Sequence, residues 1–342
     1  MTTLSEYKYL GNDAEVRMGI AKVLVKVSPW LRDLPFSELA NNNISRYKME
    51  VSDGDAGVHE VGDVWTTVNP EWESREAALA ILGDNIAIDK FGDLAAGPEN
   101  AVARMIELKT KGVGQKFDKL AVYGRTTSTG ALADSKTFKG LLRMIAEAES
   151  ETTTDLDGWL YTTNDDAANN KQAVFAASGA STALTLAMLD SLRDAVRPKA
   201  THYVMSRLML RKLNGLAQAA GNNLQHDRDQ LGYPVTRFGE QKVLIDDQIK
   251  DNMNDSSGLV TAIASYDYNQ AIAGTKDISP VFAVNMAEDG LCGINGNGMI
   301  QVEPLGTLEN ADATGYRLKF YCGMRLTNKR AAAVLLNANY SG

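Results

Sequence analysis

Histidines, thiols and clustered carboxylates are the side chains that could do chemistry here, and the chain carries few of them. Three histidines occur in 342 residues: His59 in a turn-rich stretch, His202 opening an apolar run and His226 in a polar loop. None has a second ligand at metal spacing, and neither HExxH nor CxxC occurs. A serine nucleophile would call for a GxSxG elbow, which is also missing. The "DGDAG" of Asp53 to Gly57 has half the acids of a calcium loop but not its closing glutamate. It reads as a hairpin turn, with glycines for positive φ and aspartates capping it. "GINGNG", Gly293 to Gly298, invites a phosphate cradle, yet it sits between two strands and opens no helix whose dipole would hold an anion. Asp84, Asp89 and Asp93 read as solvated acids at strand ends, and "VMSRLMLRKL" as core. Cys292 and Cys322 are too few for a disulfide framework and read as small apolar residues of a reduced protein. No catalytic, cofactor-binding or metal-binding set emerges, so the expectation is a non-enzyme without a cofactor.

With 44% hydrophobic and 23% charged residues, the chain has the composition of a folded protein with ample core. The formal charge of -8 argues against a strong grip on a phosphate backbone. No run of about eighteen apolar residues exists and no secretory signal opens the chain, so no membrane partner is expected.

Along the chain, Val23, Val25 and Val27 alternate with polar residues, and "SPWLRDLPF" sets Trp30, Leu31, Leu34 and Phe36 among prolines. That apolar load either wraps its own core or is donated to a neighbour. "ISRYKMEVSDGDAGVHEVGDVWTTVNP", Ile44 to Pro70, reads as two strands around a loop, with Tyr47, Met49 and Val51 on one face and Val58, Val61 and Val64 in the return strand. A lone hairpin is marginal in water, which raises the question of what it lies on. "GPENAVARMIELKTKGVGQKFDKLAVYG" predicts a long helix from Pro98 to Tyr123, with Gly112 and Gly114 favouring a bend. Polar loops around a short helix follow, then an α/β block from Thr182 with a strand expected at 258–268. "GYRLKFYCGMRLTN" alternates as a half-buried antiparallel strand, and "KRAAAVLLNAN" adds a buried one.

This order of elements resembles the major capsid proteins of tailed bacteriophages with the Hong Kong 97 fold. The residues that carry the resemblance are "ALAILGDNIAIDKF", "FDKLAVYG", "FKGLLRMI", "SPVFAVNMAEDGLCGI" and "LKFYCGMRLTNKRAAAVLLN". It implies an α+β chain with an N-terminal arm (1–39), an extended β-hairpin loop (40–82) and a peripheral domain (83–181) with its spine helix at about 98–123. An α/β axial domain (182–298) and strands returning to the peripheral domain (299–342) complete it. It further implies hexamers and pentamers forming an icosahedral shell around double-stranded DNA, with only weak, non-specific proximity to that DNA. The hairpin would cross a neighbouring subunit, anchored by Tyr47, Met49 and Trp65 with register set by Arg46, Lys48, Glu50 and Asp63. Trp30, Leu34 and Phe36 would be inter-subunit contacts of the arm. Because the arm begins almost at Met1, a separate scaffolding protein is expected, with a portal and a decoration protein as further partners. Lys48 lies in the hairpin without a matching asparagine or glutamate for an isopeptide link, so the shell is expected to be non-covalent. An encapsulin-type nanocompartment shell is the alternative, and a soluble α/β enzyme the remote one.

Overall fold

The computed structural model describes residues 20, 22–39, 44–52, 57–65, 69–89, 101–124, 136–150, 173–175, 182–221, 225–228, 234–249, 277–308, 312–336 and 338–341. The expected strand at 258–268, Asp93 and the helix start at Pro98 lie outside them.

From the amino end come α1 (Pro29–Asp33), β1 (Phe36–Leu39), the pair β2 (Ile44–Ser52) and β3 (Glu71–Ala78), β4 (Ala80–Asp89) and the long α2 (Ala101–Tyr123). Next are α3 (Leu141–Ser150), β5 (Ala173–Phe175), β6 (Thr182–Ala183), α4 (Leu186–Asp194), β7 (His202–Met205) and α5 (Arg207–Ala219). The rest is strand: β8 (Gln225–Arg228), β9 (Pro234–Phe238), β10 (Gln241–Ile245), β11 (Val281–Val284), β12 (Leu291–Thr307), β13 (Ala313–Leu326), β14 (Ala332–Leu336) and β15 (Ala338–Asn339).

Alternation in β13 decides the first sheet. Leu318, Phe320, Cys322, Met324 and Leu326 are buried while Arg317 faces water. The strand pairs antiparallel with β12 on one side and β4 on the other, and β1 runs parallel beside β12. Helix α2, about 35 Å long at 1.5 Å per residue, lies on β4 and β13. Its buried residues Ile106, Val113, Phe117 and Leu120 follow the three-four spacing of one helical stripe. Phe117 centres the contact, with ring centroids 5.6 Å from Phe138, 5.8 Å from Phe320 and 6.2 Å from Phe36. The helix runs unbroken through Gly112 and Gly114. Gly114 makes room for the arm: a β-carbon there would stand 3.2 Å from Leu24 Cδ2.

Two expectations change in this part of the fold. Residues 22–27 are helical, not extended, and the arm buries Ile20 and Leu24, four residues apart, in place of the alternating valines. "GINGNG" lies inside β12, where the ladder to β13 is irregular between Asn295 and Ile300. A β-carbon on Gly293 would sit 2.4 Å from the Phe36 ring, so this glycine admits the arm.

The second sheet has seven strands in the order β5-β14-β11-β7-β10-β9-β8. Strands β14 and β11 are apolar at every position, and β7 after His202, because both faces are covered. Tyr203, Met205, Val281, Ala283, Ala333 and Leu335 join the cluster of α4 and α5. Val204, Leu244, Phe282, Val284, Ala332 and Val334 turn to the cluster built around α2 and the arm. Thr185 and Ser206 cap α4 and α5 by accepting from Met188 N and Met209 N. The sheets also cut across the expected domain limits. β14 joins the seven-stranded sheet beside β11 and does not return to the other, β5 pairs with it there, and β12 enters the four-stranded sheet from Leu291. The all-apolar "AAAVLL" explains β14, since only a strand covered on both faces has a use for it.

Candidate assembly interface

The arm contacts are the first to move. Trp30 is fully buried and Leu34 nearly so, both in their own chain's core. Trp30 Nε1 donates to Asp246 Oδ2 at 2.8 Å, and Ser28 Oγ donates to Asp118 on α2. Phe36 is half-buried over Gly293. Serine capping explains the local shape: Ser28 Oγ accepts from Leu31 N at 3.1 Å and Pro29 starts the single turn of α1. Trp30 and Leu34 are therefore internal packing groups, not surface for a neighbour, because the body already covers them.

The hairpin divides into a fastened root and a free tip. At the root, Met49 is buried and Tyr47 half-buried beside Met324 and Leu326. Burial pushes the Tyr47 phenol up to about 12. Met49, expected to anchor on a neighbour, is thus spent on its own body, and Tyr47 largely so. Main-chain bonds extend the fastening, from Glu50 N to Thr327 O at 3.0 Å and from Lys329 N to Glu50 O at 3.2 Å. Ionic contacts complete it around Glu147 of α3, which accepts from Arg143 Nε at 2.7 Å and Lys139 Nζ at 2.8 Å. Arg75 of β3 donates to the Glu147 main-chain oxygen at 3.1 Å.

Other predicted residues stay on the surface. Arg46 pairs with Glu76 at 2.9 Å, Lys48 Nζ lies 4.8 Å over the Trp72 ring, and Glu50 accepts from Asn328 Nδ2 at 3.3 Å. Asp63 accepts from Glu60 N at 2.8 Å, holding the tip turn.

The tip is where apolar surface stands in water. The return strand is β3, from Glu71, while the expected strand through Val58, Val61 and Val64 is irregular. Relative exposure is 100% at Val58, 109% at Val61, 89% at Val64 and 77% at Trp65, with Trp72 at 57%. His59 stacks on Trp65 with centroids 4.4 Å apart, which stiffens an otherwise bare loop. Met105 and Leu108 add exposed apolar surface on α2. Trp72 is a further exposed aromatic, and its signal in the sequence is a tryptophan between glutamates in a stretch too charged to be core.

Chemistry stays thin. Among the described residues no cluster of metal-ligating side chains occurs, and no helix is long and apolar enough to cross a membrane. His202 is buried, with Nδ1 2.8 Å from Thr201 Oγ1 and Nε2 3.7 Å from Asp33 Oδ2. Burial lowers it to about 4 against the pull of Asp33, with Lys242, Arg32 and Arg237 adding to the fall. Cys292 and Cys322 are buried free thiols, both pushed up by burial. His226 lies on β8.

A projecting hairpin, a long helix across a four-stranded sheet and a two-sided α/β sheet together define the α+β capsid fold of the Hong Kong 97 type. Solved structures agree with that assignment. The holo-SrpI encapsulin complex from Synechococcus elongatus is similar over 92% of this chain and 89% of its own, with a TM-score of 0.60 and 14% identity. The capsid of a native GTA particle matches over 91% and 90% at a TM-score of 0.57 and 10% identity. Mycobacterium phage Bobi matches over 90% of each chain, at 0.53 and 14%. No protein-family model matches the chain, and no curated protein is matched by sequence.

Proposed function

We propose that this chain is a shell subunit: a major capsid protein whose copies join in hexamers and pentamers and close an icosahedral head around the double-stranded DNA of a tailed phage. The observation that carries the reading is the hairpin tip. Val58, Val61, Val64 and Trp65 are almost wholly in water on a ribbon whose ladder ends at Ser52 and Glu71. Apolar area is worth roughly 25 cal/mol per Å² when covered, and tryptophan-rich projections mark contact surfaces. A second copy of the chain supplies the cover, with Arg46, Lys48, Glu50 and Asp63 setting its register. The root, pinned by the chain's own Met49 and Glu147, aims the tip outward. Net charge of -8 suits a wall that must contain DNA and release it. A separate scaffolding protein, a portal and a decoration protein are the further partners, and assembly takes place in the host cytoplasm.

Electron microscopy of the purified chain, with and without a scaffold candidate, tests this. Closed particles are expected; a 37.0 kDa monomer at every concentration overturns it. An encapsulin-type shell is the second reading, since the encapsulin complex from Synechococcus elongatus shares this fold at a TM-score of 0.60. Shells that close without scaffold and hold a co-purifying protein in place of DNA would decide for it.

A further inference from the structure

Two carboxylic acids of the body hold the arm, and no cation holds them. Asp118 of α2 is 3% exposed and Asp246, just after β10, is 0% exposed. Ser28 Oγ donates to Asp118 and Trp30 Nε1 to Asp246, so both acids accept from the residues that open α1. Neither carboxyl has an ion pair among the described residues. The groups acting on Asp118 are Ser28 from the arm, with Asp246 and Asp247 from the turn after β10. Those acting on Asp246 are the Gln248 N–H, Trp30 and Asp247. Asp247 is exposed and pairs with Arg207 of α5 at 2.9 Å. The arm's own charges lie elsewhere: Lys22 and Lys26 are exposed, Lys26 toward Glu107, and Arg32 pairs with Asp33, which faces His202. On α2, Lys116 is exposed and Lys119 is half-buried with a partner of its own. A dry carboxyl that faces a second one and no cation keeps its proton. Accordingly Asp118 is pushed up to about 8, first by burial, and Asp246 is raised for the same reason.

Position along the chain makes this pair a latch. The arm precedes every described strand and β1 begins only at Phe36, so lifting residues 20–34 breaks no ladder. Such segments open on their own before the body does. Opening wets both carboxyls, which then release their protons at any pH above the ordinary carboxylate range. We infer that α1 is a proton-dependent latch: while the carboxyl pair is protonated the arm stays on α2 and β10, and loss of the proton lets residues 20–34 lift off while both sheets stay folded. The latch does not depend on the shell-subunit reading. The Asp118 proton holds the arm fully below 3.8, and that hold weakens as pH rises to about 8. Ile20, Leu24, Trp30, Leu31 and Leu34 are all buried, so the lift is a rare event whose frequency pH sets.

Amide hydrogen exchange of the full chain, below the concentration at which particles form, reads rare openings of this kind. In the arm, Ser28 N donates to Leu24 O at 2.8 Å and Leu34 N to Trp30 O at 2.9 Å; the paired strands β7 and β11 supply the reference. Corrected for the intrinsic rate at each pH, arm protection should lie at least about tenfold below that of β7 and β11. It should fall at least about tenfold further from pH 6.5 to 8.5. Asp118→Asn should keep the first gap and lose most of the fall. If that variant does not fold, Ser28→Ala takes its place: without the hydroxyl that favours the ionised carboxyl, the fall moves to higher pH. Arm amides protected as well as the sheet at every pH would show that the arm leaves only with the body, and would overturn the latch. Arm protection that lies below the sheet's but ignores pH overturns it equally, as does a full wild-type fall in Asp118→Asn.

Discussion

Asp118 sits where the arm, the spine helix and the seven-stranded sheet meet, and its titration follows from that position. Burial is the chief reason its carboxyl is pushed up to about 8; Asp246 and Asp247 add to the rise and the Ser28 hydroxyl opposes it. Asp246, buried under Trp30, is raised as well, again mainly by burial. The folded state thus holds a proton on Asp118 that the unfolded chain has released. Its contribution is complete below the ordinary carboxylate value of 3.8 and is lost as pH rises to about 8. His202, lowered from 6.5 to about 4, works in the opposite sense and only below 6.5. Between pH 6.5 and 8 the acid is unopposed, so stability should fall by on the order of 2 kcal/mol. Asp118→Asn keeps the acceptor for Ser28 and removes the proton. Urea titrations at a series of pH values should show the variant flat across that window. A wild type equally flat would mean that Asp118 is ionised in the folded subunit. Little of this was legible in sequence. Trp30 stood out as apolar load, but its partner Asp246 lies 216 positions away, and nothing local marks either acid as buried.

Elements with a strict period were legible and those with a broken one were not. β13 repeats apolar residues at every second position over the length of a strand, and α2 repeats them at three and four; each pattern admits one structure. Val23, Val25 and Val27 make too short a run to decide, and the helical pair Ile20 and Leu24 wins once α2 offers Gly114 as a seat. The return strand of the hairpin, Glu71–Ala78, is hidden in the sequence for a related reason. β3 buries only Arg75 and Ala77, so its pattern holds no apolar row, while the valines that look like a strand are tip residues in water. The arm's seat on β12 gives a sharp test at this scale. Gly293→Ala drives a methyl into the Phe36 ring and should destabilise by about 1–3 kcal/mol. Phe36→Leu alone is destabilising too, but the double variant should recover part of the loss, with a coupling of about 0.5–3 kcal/mol in denaturant melts. Strict additivity would mean that the arm is not held at this point.

At the scale of the whole molecule, the ordered series of weak motifs carried the architecture, because arm, hairpin, spine helix and two-sided sheet occur in one sequence order. The sequence left open which residues each subunit keeps for itself. Trp30, Leu34 and Met49 have the composition of interface anchors and are core, and only burial in three dimensions separates the two. That division makes a clean experiment. Ser52 and Glu71 are paired across the ladder, so residues 53–70 can be replaced by Asn-Gly, the dipeptide that closes a two-residue hairpin turn. The truncated chain loses Val58, Val61, Val64 and Trp65 but keeps the root, the ionic hub at Glu147 and both clusters of the core. Its melting temperature should stay within about 2 °C of the full chain's, since exposed residues contribute little to folding. If the proposed role of the tip holds, assembly should fail at concentrations where the full chain forms particles, because the exposed apolar surface of the tip has gone. Should the shortened subunits still close into shells, the tip valines and Trp65 are dispensable and the contact lies elsewhere, with Met105 and Leu108 on α2 the exposed apolar surface left to try.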